Sequence, residues 1–315
     1  LLSNLRSAST SNASDGLAGS RRRLDRESVV DSNPVSRSND AGKPLSASNL
    51  ALRVASAVFL APVALLTAYY GSWPFILFWG VAALAVLWEW LELVAGKSHR
   101  PLFLSCAGAI AAAGFLVWVD RPISALLMLG LGALAAAIFS PSTRRLWVTL
   151  GLGYAGALLL APTLLRHDAA YGFAVIALLF AIVWTTDVCG YFAGRAVGGP
   201  KLMPAVSPKK TWSGAIAGTA GAMIAALLVA RLFGSSNTLA ILGIAFVLSV
   251  LAQFGDLFES WVKRRFGAKD SSRLIPGHGG VMDRLDGFWA AAVAGCLIGL
   301  MRGGLDGPAR GLLVW

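Results

Sequence analysis

The 315-residue chain has little charge: Asp, Glu, Lys and Arg make up 14% of it. A soluble globular domain carries about 25%. So little charge cannot cover a water-facing surface, which argues against a soluble enzyme, a disordered scaffold or a nucleic-acid binder with a polar exterior. Cysteine is scarce as well. Cys106, Cys189 and Cys296 lie far apart in apolar runs, and no CxxC occurs, so neither a disulfide frame nor a zinc site is expected. No GxSxG serine and no Cys/His pair offers a protein nucleophile.

What is abundant is apolar. Hydrophobic types make up 56% of the chain, and the mean hydropathy is +0.67. Such a surplus fits a protein whose surface meets lipid. Residues 1–48 differ: they are rich in Ser, Asn, Arg and Asp and almost free of aromatics. This segment has too little apolar area to offset its ordering entropy and is expected to be a disordered tail. Its Arg21, Arg22, Arg23 and Arg26 suit either solvation or lipid headgroups. The first residue is Leu1 rather than Met, so the true start is expected upstream or at a non-standard codon.

From about residue 50 the chain becomes a series of apolar runs. A membrane-spanning helix needs about 20 such residues. Nine candidates lie at 52–71, 74–95, 102–119, 122–140, 146–165, 170–193, 212–232, 238–262 and 283–302. Backbone that crosses lipid must satisfy its own hydrogen bonds, so helices are expected, giving an all-α polytopic membrane protein. Gly214 and Gly218, four apart, suit close helix packing and leave a homodimer open.

Net charge is +11. If the tail is cytoplasmic, alternation of nine spans puts 22 Lys and Arg residues on that side and 5 on the other. This positive-inside bias places two long basic loops, 194–211 and 260–284, in the cytoplasm, where nucleotides are.

Those loops hold the unusual residues. At the end of the eighth span, Asp256, Glu259, Ser260 and Lys263 fall on one helical face. Ionisable groups in lipid are costly, so this stripe should face the bundle interior. Asp283 and Asp286 share a face at the start of the ninth span, after a Gly- and Pro-marked loop. Carboxylates gathered at a helix mouth among Lys and Arg suggest a divalent cation holding phosphates. In the sixth span, Asp187, Tyr191 and Arg195 line one face. Ser207, Lys209, Lys210 and Thr211 lead into the seventh span, where free N–H groups and the positive end of the helix favour an anion.

The 260–286 stretch resembles the signature of the phosphatidate cytidylyltransferase (CDP-diacylglycerol synthase) family. The elements that match are Ser260, Lys263-Arg264, Lys269-Asp270, His278-Gly279-Gly280, Asp283-Arg284 and Asp286. The Asp187–Tyr191–Gly194-Arg195 run, the Ser207-to-Thr211 segment and Trp88-Glu89-Trp90 also look like that family. Ser213 stands where many members have an acidic residue or Gln, and Cys189 where Ala is usual.

The resemblance covers roughly residues 50–305. It implies a cytidylyltransferase domain over 49–315 that makes CDP-diacylglycerol and pyrophosphate from CTP and phosphatidic acid. A bacterial inner-membrane location follows, with no nucleic-acid partner. Mg²⁺ is the expected cofactor, and a second cation is left open. Asp256 and Asp283 are the foremost expected metal ligands, with Asp187 and Asp286 as further ligands or supports. Lys209, Lys210 and Thr211 are expected on the CTP phosphates. Lys263, Arg264 and Arg284 are expected on lipid phosphate or pyrophosphate, with Tyr191 and His278 positioning these groups.

Plainer readings stand beside these. Basic residues next to a span, such as Arg265, anchor topology. Glu89 suits a helix-end anchor as well as the rim of a site. Two other functions remain open at this stage. One is a related CTP-dependent enzyme, acting on a different lipid or phosphorylating a polyprenol. The other is a cation-coupled transporter, which would place its carboxylates near mid-membrane in broken helices, often with inverted repeats.

Overall fold

The computed structural model describes residues 47–96, 100–235, 237–272, 274 and 279–315. Tail residues 1–46, Lys97, His99 and His278 lie outside them. The elements run α1 (Ala47–Tyr70), α2 (Ser72–Ala95), α3 (Arg100–Trp118), α4 (Pro122–Phe139), α5 (Arg145–His167) and α6 (Gly172–Ala196). Then come β1 (Lys201–Met203), β2 (Ser207–Thr211), α7 (Trp212–Leu232), α8 (Thr238–Arg265), α9 (Met282–Gly303) and α10 (Pro308–Leu313).

Each predicted span is met by a helix, with ends moved by five residues at most. Helices α2 to α9 are long and apolar enough to cross a membrane, and Val58–Tyr70 of α1 adds a shorter apolar stretch. The protein is an all-α polytopic membrane protein. Two elements go beyond the sequence reading. The 194–211 loop contains an antiparallel hairpin that pairs Lys201 with Thr211 and Met203 with Ser207. Its strands are too short and polar to show an alternating pattern. The other, α10, has only six residues.

Burial separates inner helices from outer ones. In α5, 72% of the apolar stretch is buried; in α4, only 17% is. Ile123, Leu126, Leu127, Leu131, Leu134 and Ile138 of α4 are all exposed. An apolar stripe of that length on a folded surface fits acyl chains, not water. The inner helix α5 packs against α2, α4, α6 and α9.

Arginines tie helix ends together. Arg166, near the end of α5, donates from Nε to Ala68 O at 2.5 Å and from Nη2 to Tyr69 O at 2.9 Å. Arg144 donates to Ala95 O at 2.6 Å. Each cation thus meets carbonyls that a helix C-terminus leaves unpaired. By alternation, the C-terminal ends of α2, α6 and α8 lie at the same end of the bundle as the starts of α5, α7 and α9. The hairpin lies there too, and that end carries the site.

Candidate active site

Three carboxylates from three helices share the mouth of the bundle: Asp187 of α6, Asp256 of α8 and Asp286 of α9. Asp187 and Asp286 each interact electrostatically with Asp256 and with one another. Lys210 of β2 reaches into this group, with its Nζ 2.5 Å from Asp256 Oδ2. Arg284 faces Asp187 electrostatically. Ser260 donates to Asp256 Oδ1 at 3.4 Å, and the Gly287 amide donates to Asp286 Oδ1 at 2.7 Å.

Glycine lets two of these helices meet. A Cβ on Gly255 would lie 2.5 Å from Asp286 O and 2.7 Å from Ala290 Cβ. Backbone contact at Gly255 therefore sets the neighbouring Asp256 beside Asp286. Gly214 and Gly218 serve a similar contact inside the chain. A Cβ on either would lie 2.6 Å from a carbonyl of α6, that of Gly190 or Thr186. The glycine face read as open to a second copy is covered by α6.

Asp283 has different neighbours from Asp286. Lys263 Nζ lies 2.5 Å from Asp283 Oδ1 and 2.7 Å from Glu259 Oε2. Asp283 Oδ2 accepts from the Ser271 amide at 3.1 Å, the Ser271 hydroxyl at 2.9 Å and the Gly280 amide at 2.9 Å. Both oxygens of the carboxylate are engaged, and the Lys263 side chain is 10% exposed. A metal ion at Asp283, or a phosphate at Lys263, would have to displace these bonds.

Glu89 of α2 closes the same loop from the other side and is fully buried. It accepts from Ser272 Oγ at 2.6 Å, Val281 N at 2.7 Å and Met282 N at 2.8 Å, and it lies 3.0 Å from Ser271 Oγ, whose single proton it shares with Asp283. The last two are among the first amides of α9. Glu89 therefore acts as a long-range cap at the positive end of that helix.

The other predicted residues are spread around this mouth. Tyr191 and Arg195 do share a face of α6: Arg195 Nη1 donates to Tyr191 Oη at 3.5 Å. Thr211 caps α7, accepting from the Gly214 amide at 3.2 Å. Ser213 bonds to Thr211 Oγ1 at 3.0 Å and donates to Gly198 O, closing the loop onto α7. Ser207 begins β2 opposite Met203, and Lys209 is exposed. Arg264 donates to Ala268 O at 3.0 Å in the turn after α8. Lys269 and Asp270 are exposed on the loop that follows.

Tyr154 of α5 is a residue the sequence did not single out. It is 5% exposed and lies within electrostatic reach of Asp286, Glu259 and Asp256. In the text of α5 it is one aromatic in an apolar run. No local pattern marks it.

Among the described residues, no three His, Cys, Asp or Glu side chains stand close enough to hold a metal ion by themselves. Mg²⁺ commonly uses one or two carboxylates and takes its remaining ligands from substrate phosphates and water. Asp187, Asp256 and Asp286 supply hard oxygen donors, and Lys210 is the cation paired directly with Asp256. This donor set fits an ion that arrives with a triphosphate.

A profile of the cytidylyltransferase family matches residues 51–300. The chain is 44% identical over 265 residues to the phosphatidate cytidylyltransferase of Brucella suis biovar 1, covering 83% of this chain and 97% of that protein. It is 45% identical over 255 residues to the phosphatidate cytidylyltransferase of Brucella abortus biovar 1, covering 80% and 94%. To that of Haemophilus influenzae it is 34% identical over 282 residues, covering 76% and 94%.

Proposed function

From the fact that the chain belongs to the cytidylyltransferase family, we infer that it transfers the cytidylyl group of CTP to phosphatidate, giving CDP-diacylglycerol and pyrophosphate. A phosphate oxygen of the lipid attacks the α-phosphorus of CTP. The bond from that phosphorus to the bridging oxygen of the β-phosphate breaks, and pyrophosphate leaves with the electron pair. The attacking oxygen is already ionised at neutral pH, so no protein nucleophile is needed. The task is to hold two polyanions together and to stabilise charge on the leaving group.

The observation that carries this reading is the Lys210–Asp256 contact of 2.5 Å. It joins the basic hairpin to the carboxylate group. Lys209, Lys210 and the first amides of α7 form the anion-binding side, with Thr211 fixing the helix start. Asp256 and Asp286, with Asp187 beside them, form the cation side. One or two of these carboxylates, Asp256 foremost, would hold Mg²⁺ together with the triphosphate's own oxygens, and the ion would supply charge neutralisation on the triphosphate when bound. Arg284 lies close to the same group and suits the lipid phosphate or the departing pyrophosphate. Lys263 and Asp283 keep α8 against α9 and shape the loop between them.

The basic mouth suits the cytoplasmic face of a bacterial inner membrane, where CTP is supplied and the positive-inside bias places Lys and Arg. Phosphatidate then enters from the leaflet, with its acyl chains against the apolar flank. The test is direct. Purified protein is supplied with Mg²⁺, phosphatidate and CTP labelled in the α-phosphate. Label is expected in CDP-diacylglycerol. Transfer of γ-phosphate label to a lipid would replace this reading with a kinase, and absence of CTP turnover would remove it.

A further inference from the structure

We propose that the hydroxyl of Tyr154 is a binding group for the phosphate of the lipid substrate, donating a hydrogen bond from the α5 side of the site. The proposal deepens the reading above and rests on it.

The ring of Tyr154 is held by two tryptophans. It stacks on Trp289 with centroids 4.2 Å apart at 14°, and on Trp90 at 5.3 Å and 27°. Its own carbonyl accepts from Trp289 Nε1 at 2.9 Å. Trp90 is fixed in turn by donating to Trp147 O at 2.9 Å. A ring clamped in this way cannot swing its hydroxyl elsewhere.

That hydroxyl is buried and has no hydrogen-bond partner among the described residues. Buried tyrosine hydroxyls usually find one, and an orphan in a native interior calls for a reason. Asp286, Glu259 and Asp256 are its charged neighbours, so the donor lies within electrostatic reach of the carboxylates of the mouth. At 1.5 Å per residue it sits roughly 14 Å from the start of α5, well inside the bundle. A phosphate arriving there needs donors. Lys263 already has two carboxylate partners. A neutral phenol can wait beside carboxylates without forming an ion pair, and it costs no reorganisation when the anion arrives.

Position selects the lipid phosphate over the nucleotide. The hairpin strands pack with α6 and α7, and Lys210 meets Asp256 from that side. Tyr154 lies among side chains of α2, α8 and α9, and its ring continues through Phe258, at 6.4 Å, to Trp261. Those two are 38% and 44% exposed on α8. They form an aromatic wall from the bundle surface to the hydroxyl, along which a lipid can enter sideways with its headgroup leading.

The test compares the full-length protein with Tyr154→Phe, which keeps the ring and removes the hydroxyl. Phosphatidate is varied as a mole fraction in mixed micelles at saturating CTP, then CTP is varied at saturating phosphatidate. Loss of a hydrogen bond to a charged acceptor predicts a rise of about tenfold or more in KM for phosphatidate. KM for CTP should stay at the wild-type value, and the thermal midpoint should hold or rise, since Phe removes a buried hydroxyl that has no partner among the described residues. An unchanged KM for phosphatidate would overturn the proposal, since the hydroxyl would then be meeting water only. Equal rises in both KM values would also overturn it. If Tyr154→Phe does not fold, 3-fluorotyrosine placed at 154 keeps the ring and strengthens the donor. KM for phosphatidate should then fall, and no change would overturn the proposal. Wild-type protein that forms no CDP-lipid would sink the parent reading instead.

Discussion

The carboxylate of Glu89, near the end of α2, lies 2.7 Å from the amide nitrogen of Val281, 192 residues further along the chain. Through this bond and its neighbours, one buried side chain orders the start of α9. The first turn of α9 carries Asp283 and the next carries Asp286, so Glu89 governs where both carboxylates stand.

Replacing Glu89 with Ala should therefore destabilise the protein. It strands two amides, those of Val281 and Met282, along with the hydroxyl of Ser272, while the Ser271 hydroxyl keeps Asp283 as its acceptor. Each buried group left unsatisfied costs about 1–3 kcal/mol. A loss of about 3 kcal/mol or more is expected, read as a fall of at least about 6 °C in the thermal midpoint in detergent. Glu89→Gln retains an acceptor oxygen and should fall less. Equal midpoints for wild type and the Ala variant would deny Glu89 this role.

The spans were legible in the sequence because lipid imposes a length and a composition on every helix that crosses it. The polar stripe Asp256–Glu259–Ser260–Lys263 was legible too, since helical spacing alone puts it on one face. The partners of each member were not. Spacing groups Asp283 with Asp286, but Ser271 and Gly280 bond to Asp283, and Asp286 is left to Asp256 and Asp187. Glu89 and Tyr154 were hidden for a related reason. Each acts across more than a hundred residues or from a ring stack, and neither leaves a local pattern.

Gly255 tests whether the close crossing of α8 and α9 matters. Gly255→Ala would drive its Cβ into Asp286 O, forcing the helices apart at a cost of about 1–3 kcal/mol. Activity should fall with stability. Gly243, on the same helix, has open space around it. Gly243→Ala should be neutral or stabilise by up to about 1 kcal/mol. Parallel thermal melts and assays check the pair, and equal behaviour of the two variants would refute the argument.

Asp256 separates cation binding from simple charge pairing. Asp256→Asn removes a ligand charge and frees Lys210 from its partner. Loss of one preorganised electrostatic group predicts a fall of about 10²–10³ in kcat. Half-maximal activity should also need more Mg²⁺. Lys210→Met should instead raise KM for CTP at an unchanged Mg²⁺ requirement. A Mg²⁺ titration that is the same for Asp256→Asn and wild type would take Asp256 out of the cation site.

The Lys263 triad gives the sharpest stability test. Lys263 lies between Glu259 and Asp283, and both carboxylates are buried or nearly so. Removing one member of such a group leaves an unpaired buried charge, at a cost of about 3–5 kcal/mol. Lys263→Met should therefore unfold well below wild type. Adding Asp283→Asn removes one stranded charge, and an amide oxygen can still accept from the Ser271 and Gly280 amides. The double variant should recover part of the lost thermal midpoint, a coupling that independent sites do not show. Activity distinguishes the roles. If Lys263 serves only to hold α8 against α9, activity returns in step with stability. If its ammonium also meets phosphate during turnover, the double variant melts higher yet stays inactive. Additive losses of stability in the double variant would mean that the contact contributes little to holding the two helices together.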